Sequence, residues 1–149
     1  MEKKYKLTDE IIYFEGRKLH RIEALKDFSD VKKGDKGGFV ESKDNLSQYN
    51  NCWVYDDAVV YGNAKVCGNA EIYGNAKIGS NSDYIVFKNW WSSGRYFTWT
   101  RSNNMWRVGC FYGTGEELIA KAYKDSELSG REYKRVVEYV ESILKDSEK

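Results

Sequence analysis

From Val54 the chain repeats itself every six residues: Val54-Tyr-Asp-Asp-Ala-Val, Val60-Tyr-Gly-Asn-Ala-Lys, Val66-Cys-Gly-Asn-Ala-Glu, Ile72-Tyr-Gly-Asn-Ala-Lys and Ile78-Gly-Ser-Asn-Ser-Asp. A fixed short period means that each unit buries its apolar side only by stacking on its neighbours. The β-branched residues at 54, 60, 66, 72 and 78 each stand two places after a small one, Cys52, Ala58, Ala64, Ala70 or Ala76. Residues two apart on a strand share a side, so both series face inward. Gly-Asn at 62–63, 68–69 and 74–75 supplies the tolerance of positive φ that a sharp corner needs. Short strand, corner, short strand, corner is the wiring of a solenoid.

Over residues 52–82 this pattern resembles the hexapeptide-repeat proteins, and the resemblance implies a left-handed parallel β-helix with three six-residue faces per coil. Val40 and Leu46 extend the phase backward. On such a helix Tyr55 stacks beneath Tyr73, and Tyr49 beneath Cys67, on the outer surface. Less than two coils leave open sheet edges at both ends, so the flanks are expected to act as caps. Ile11–Phe14 and Leu19–Leu25 read as a hairpin around Glu15-Gly16, and Lys33-Gly-Asp-Lys-Gly-Gly-Phe39 reads as a turn-rich lead into the repeats. The succession Leu19-His-Arg-Ile-Glu-Ala-Leu25, Gly37-Gly-Phe-Val-Glu-Ser42, Asn45-Leu-Ser-Gln48, Cys52-Trp-Val54 and the hexapeptides resembles a group of small proteins of bacteriophages and prophages. Arg107-Val-Gly-Cys-Phe-Tyr-Gly-Thr-Gly-Glu-Glu-Leu118 resembles their C-terminal part. The hexapeptide resemblance implies a homo-oligomer, a trimer or a multiple of it.

Residues 83–149 read as a second unit. Tyr84–Lys88, Tyr96–Arg101 and Met105–Phe111 are expected strands, the last two joined through Ser102-Asn-Asn104. Thr114-Gly-Glu-Glu117 reads as a capping box opening a helix to about Lys124, and Ser129-Gly-Arg-Glu132 as another opening a helix to about Lys145. Tyr133, Val136, Val137, Val140, Ile143 and Leu144 recur at helical spacing and form an apolar stripe, while Lys134, Arg135, Glu138 and Glu141 face water. The expected fold class is therefore mixed β and α/β. It comprises an N-terminal β-hairpin and a short left-handed parallel β-helix over 1–82, then a C-terminal antiparallel sheet with two helices over 83–149.

Charge and composition narrow the function. With 24 basic against 23 acidic residues among 149, the net charge of +1 gives no field for bulk nucleic acid or an anionic membrane. No apolar run approaches the ~20 residues of a membrane span, and the Lys-rich start Met1–Lys6 precedes no apolar signal region. A cytoplasmic protein is expected, in the host cell if phage-encoded. Cys52, Cys67 and Cys110 are odd in number and lack C-x-x-C spacing, so they read as reduced and mainly structural, with no zinc site. The single histidine, His20, lies outside the repeats in a half-exposed strand pattern. Many hexapeptide-repeat proteins are acyltransferases that use a histidine base, and some are carbonic anhydrases with several histidine ligands. One histidine excludes the second chemistry and weakens the first, so neither catalysis nor a cofactor is expected.

The segment 83–113 stands apart. It carries four basic residues, one acidic residue and ten of the chain's aromatics. Trp90-Trp-Ser-Ser-Gly-Arg95 puts hydroxyls, a permissive glycine and a guanidinium in one loop, which suits a phosphate, while neighbouring rings stack a base. The candidate ligand-binding residues are Trp90, Trp91, Ser93, Arg95, Tyr96, Arg101, Trp106 and Arg107. Alternation puts Tyr96, Thr98 and Thr100 on one face of a strand and Phe97, Trp99 and Arg101 on the other, so many of the aromatics are core. The expected function is a non-catalytic protein that sequesters a small anionic, nucleotide-type ligand, in a phage setting a host immune signalling nucleotide. The alternatives are a structural or protein-binding oligomerisation module and, less favoured, an acyltransferase.

Overall fold

Inward burial organises the first half of the molecule, as the repeat requires. In the computed structural model, which describes residues 3–147, Cys52, Val54, Ala58, Val60, Ala64, Val66, Ala70, Ile72, Ala76 and Ile78 are all sealed from solvent in one cluster. Gly62, Gly68 and Gly74 turn the corners at φ of 64°, 65° and 68°. The strands between corners are β4 (Trp53–Val54), β5 (Val59–Val60), β6 (Glu71–Ile72) and β7 (Lys77–Ile78). β5 pairs in parallel with β7, Val60 facing Ile78, and β4 with β6, Val54 facing Ile72.

The expected left-handed parallel β-helix is corrected. β1 (Tyr5–Phe14), β2 (Arg17–Ala24) and β3 (Lys36–Val40) join β5 and β7 in one mixed five-stranded sheet of order β1-β2-β3-β5-β7. Its first three strands are antiparallel and its last two pairings parallel. β4 and β6 make a separate two-stranded sheet, and the third side of the repeat contributes only the isolated parallel bridge Leu46–Val66. Each of the named repeat strands offers only two residues, and β3, itself paired with the hairpin, supplies the partner of β5.

The hairpin covers the repeat of its own chain. Gly38 of β3 lies so close to the repeat that a Cβ there would press on the Ala58 carbonyl oxygen and stand 2.7 Å from Val54 Cγ1. Lys4 is buried before β1, its ammonium donating to the Cys52 carbonyl at 2.7 Å and the Asn50 carbonyl at 3.2 Å and lying 5.0 Å from the Phe28 ring. Burial lowers its pKa from the usual lysine value, with Cys52 opposing the shift. Tyr5 seals the same end through its hydroxyl, which donates to the Leu46 carbonyl at 2.5 Å.

The second half is the four-stranded antiparallel sheet β11-β10-β9-β8 with two helices on one face. β8 (Tyr84–Lys88) forms as expected, and β9 (Tyr96–Thr100) stops one residue short of the expected Arg101. The expected strand Met105–Phe111 is corrected to β10 (Met105–Val108) and β11 (Phe111–Gly113), because Gly109 at φ 55° turns the chain back on itself. Helix α1 (Gly115–Asp125) opens with the expected capping box: Thr114 Oγ1 accepts from Glu117 N, and Glu117 Oε1 accepts from Thr114 N at 2.9 Å. Helix α2 (Glu127–Ser147) starts earlier than expected, so Ser129-Gly-Arg-Glu132 lies inside it and is no cap. Gly130 is packed against the Tyr123 ring, and the Ser126 hydroxyl accepts from Ser129 N at 3.0 Å. Lys134, Arg135, Glu138 and Glu141 are exposed, as the stripe requires.

The far face of the β9 sheet closes the repeat's other end. Thr98, 1% exposed, accepts a hydrogen bond from Glu71 N at 3.0 Å, and Ser102 Oγ accepts one from Lys77 N at 2.8 Å. Strand amides at the edge of β6 and β7 thereby meet side chains rather than a further strand. Met1, Glu2, Glu148 and Lys149, which the expected divisions 1–82 and 83–149 include, lie outside the described residues.

Two substitutions test this packing. Gly38→Ala is expected to destabilise the fold by about 1–3 kcal/mol, the usual cost of forcing atoms into a filled interior. Thr98→Val keeps the shape and leaves the Glu71 amide without its acceptor, a loss of about 1–3 kcal/mol. Urea unfolding of each variant against the parent measures both.

Candidate ligand site

Asn89 ends β8 and builds the loop that follows. Its Oδ1 accepts from Trp91 N at 3.2 Å and from Ser92 N at 2.9 Å, an Asx turn, and its backbone N–H returns to the Arg95 carbonyl at 2.8 Å. The loop is fastened to α2 by Trp91, whose indole Nε1 donates to Ser129 Oγ at 3.1 Å and whose ring meets the Tyr133 ring edge-on at 4.9 Å. Ser93 Oγ accepts from Arg95 N at 3.1 Å. The exposed Arg95 side chain lies over Gly109, so the turn between β10 and β11 sits beneath its guanidinium.

Between this loop, that turn and α1 lies a cavity of about 310 Å³. Its polar wall holds Asn89, Ser92, Ser93, Arg95, Lys121 and Tyr133, and its apolar wall holds Val108, Phe111 and Leu118. Lys121 pairs at 3.7 Å with Asp125, which lines the same cavity, an exposed pair of the kind that contributes little. The Tyr133 hydroxyl accepts from Asn89 Nδ2 at 3.3 Å, and burial raises its pKa. The recess thus combines two cations, one of them paired with a carboxylate, with hydroxyls and an apolar floor.

The eight expected residues do not converge. Ser93 and Arg95 line the cavity, and Trp91 anchors the loop that forms it. Trp106 is corrected: it is 1% exposed, packed against Trp99, Phe97 and Phe87 in the core beneath the helices, and has no face to offer a base. Trp90 is 70% exposed but lines a different groove, beside Phe87 and Tyr139. Tyr96 faces the opposite side of β8, near Val86. Arg101 is pinned at the far end of β9, its Nε donating to the Ser82 carbonyl at 3.1 Å.

Arg107 goes to the sheet's other face for a reason of register. It pairs with Thr98 across β9 and β10, so it points at the repeat as Thr98 does. There its guanidinium lies 3.8 Å from the centroid of Tyr73, which is stacked on Tyr55 at 3.9 Å and 10°. The expected Tyr55–Tyr73 ladder is thus present, and it is covered. Among the described residues, Arg107 Nε is buried without a hydrogen-bond partner, 3.9 Å from Glu71 Oε2. Burial raises the Glu71 pKa, with Arg107 opposing it. Tyr55 donates to Asp30 Oδ1 at 2.7 Å, and burial raises its pKa well above the ordinary tyrosine range. Burial pushes Tyr73 up to about 12.

Lys121, Tyr133, Asn89 and Phe111 line the cavity and were not among the expected residues. Tyr133 belonged to the apolar stripe of a helix, and nothing in its spacing separates a cavity wall from a core position. His20 lies in β2, half-buried, donating from Nδ1 to the Thr8 carbonyl at 3.1 Å. Cys52 is buried, whereas Cys67 and Cys110 are exposed, which corrects the structural reading for those two. Among the described residues there is no group of three or more His, Cys, Asp or Glu side chains disposed to hold a metal, and no helix long and apolar enough to cross a membrane. No family model matches the chain and no curated protein matches it, so the resemblance to phage proteins rests on its residues alone.

The tyrosine ladder gives a pH prediction. A tyrosine whose pKa is higher folded than unfolded contributes fully below the unfolded value of 10 and loses that contribution as pH rises through the folded value, for Tyr73 about 12. Stability is expected to fall from pH 10 upward, and Tyr73→Phe to fall less steeply over the same interval. Denaturant unfolding between pH 9 and pH 12 on both proteins reads the difference in slope.

Proposed function

We propose that this chain is a non-catalytic binding protein that captures a small anionic, nucleotide-type ligand in the cavity beneath the 89–95 loop. The observation that carries the reading is the meeting of Arg95 and Lys121 with Ser92, Ser93 and Asn89 above an apolar floor of Val108, Phe111 and Leu118. A cavity of about 310 Å³ falls at the small end of ligand sites, which run from roughly 300 to 1,000 Å³. Arginine offers a planar fork to a phosphate, and the half-buried Phe111 is the cavity-wall ring nearest to stack a base. This moves the stacking role from Trp90, Trp91, Tyr96 or Trp106 to the cavity wall. The resemblance to phage proteins extends the reading to a host immune signalling nucleotide, a cyclic nucleotide or an ADP-ribose derivative, which a sequestering protein removes stoichiometrically.

A second reading, a structural or protein-binding module, draws on the exposed rings of Trp90 and Tyr139. The two separate on titration. Calorimetry with a panel of cyclic nucleotides and ADP-ribose derivatives is expected to give saturable binding that Arg95→Ala weakens at least tenfold, about 1.4 kcal/mol, and that Arg101→Ala leaves unchanged. Absence of heat across the panel, or equal loss in both variants, overturns the small-ligand reading.

A further inference from the structure

The charged groups that line the cavity beneath the 89–95 loop are few. Arg95 comes from the loop and Lys121 and Asp125 from α1, and among the described residues no other Lys, Arg, His, Asp or Glu lines it. Two cations and one carboxylate leave the recess a single formal positive charge. Asp125 is held by Lys121 at 3.7 Å in a solvent-exposed pair, too weak to hide the carboxylate from an incoming anion. Both signs of charge reach the cavity wall. Burial is the main cause of the raised Tyr133 pKa, the Asn89 hydrogen bond opposes it, and behind these Arg95 lowers it and Asp125 raises it.

The buried part of the wall carries no charge. Tyr133 and Ser129, 7% and 9% exposed, present hydroxyls there, whereas Arg95, Lys121 and Asp125 are exposed at the mouth. Tyr133 Oη accepts from Asn89 Nδ2 and Ser129 Oγ from Trp91 Nε1, and among the described residues neither hydroxyl proton has an acceptor. A buried donor left unmatched costs free energy until an acceptor arrives. An uncharged acceptor suits these two, because a full charge taken that deep loses its hydration with no cation beside it. At about 310 Å³ the cavity stands at the small end of ligand sites and accommodates one nucleotide unit rather than two.

We infer that the cavity selects a mononucleotide whose one phosphate is a diester, a 3′,5′-cyclic nucleotide, over the monoester and diphosphate forms of the same nucleoside. This selectivity rests on the cavity being the nucleotide site proposed above. A phosphate diester carries one negative charge, which the recess balances. A monoester carries close to two at neutral pH and above, and a diphosphate bridge carries two. The second charge meets Asp125, so that carboxylate is the repulsive element that separates one ligand from another. Arg95 and Lys121 take the phosphate at the mouth and Phe111 the face of the base, while the Tyr133 and Ser129 hydroxyls donate to its ring nitrogens or carbonyl.

Calorimetry on the full-length chain tests this with the 3′,5′-cyclic and linear 5′-monophosphates of adenosine, guanosine, cytidine and uridine, and with ADP-ribose. The titrations are run at about pH 8, above the second ionisation of a monoester at ~6. For whichever base binds, the cyclic form is expected to bind at least about tenfold tighter than the linear one. Asp125→Asn is expected to narrow that ratio about threefold or more, and less so as salt is raised. Lys121→Gln is expected to widen it, and gives the same readout from the other sign if Asp125→Asn fails to fold. Tyr133→Phe is expected to weaken both forms alike, because its hydroxyl serves the uncharged part of the ligand. Linear monophosphates or ADP-ribose that bind as tightly as the cyclic forms, or charge variants that leave the ratio at the parent's value, overturn the inference and leave the nucleotide reading standing. Silence from every compound overturns that reading itself.

Discussion

Stacking of inward side chains at a six-residue period is the constraint on which the rest of the molecule depends. Small residues at 52, 58, 64, 70 and 76 and branched ones at 54, 60, 66, 72 and 78 fill a narrow interior from which solvent is excluded. At roughly 25 cal/mol per Å² of apolar surface, burial of ten such side chains is the main favourable contribution from the repeat, since its named strands are two residues long. The backbone pairing there is sparse, and it holds because the filling of the interior fixes the register. An enlarged alanine or a polar residue in either series interrupts every layer it touches.

A stack of this kind is incomplete at its ends, and both completions come from the same chain. At the start, β3 docks with two glycines against β4 and β5, and Lys4 and Tyr5 bond the carbonyls that the loop 46–52 turns inward. At the finish, Thr98 and Ser102 accept the amides of Glu71 and Lys77. A lysine ammonium inside a protein is costly unless donors and acceptors match. Lys4 offsets part of that cost with carbonyl oxygens and a ring, while its lowered pKa marks the burial that still disfavours its charge.

The C-terminal sheet uses its two faces for different purposes. Phe97, Trp99, Trp106 and Val108 meet the helices, while Thr98 and Arg107 meet the repeat. This division decides which cations of the arginine-bearing segment share a site. Arg95 lies beside the helix face and reaches the cavity with Lys121, Arg107 is committed to the Tyr73–Tyr55 stack, and Arg101 is held at the opposite end of β9. Of the three guanidinium groups, that of Arg95 alone lines the cavity.

Much of this was determined by the sequence alone, wherever the physics is local or periodic. The hexapeptide period dictated which residues are buried, and the hexapeptide resemblance implied that Tyr55 stacks on Tyr73; alternation dictated the faces of β9 and β10; Thr114 and Glu117 dictated the start of α1. What only the tertiary structure decided is how separate segments share hydrogen bonds. The hairpin could enter the same sheet as the repeat strands, in place of a free-standing parallel β-helix, because unpaired edges are satisfied by whichever segment lies nearest in space. Ser129-Gly-Arg-Glu132 has the composition of a cap, yet Ser129 is drawn into α2 and receives Trp91 instead. The cavity likewise required the fold, since the 89–95 loop, Phe111, Lys121 and Tyr133 lie apart along the chain and meet only through the turn at Gly109 and the packing of the helices.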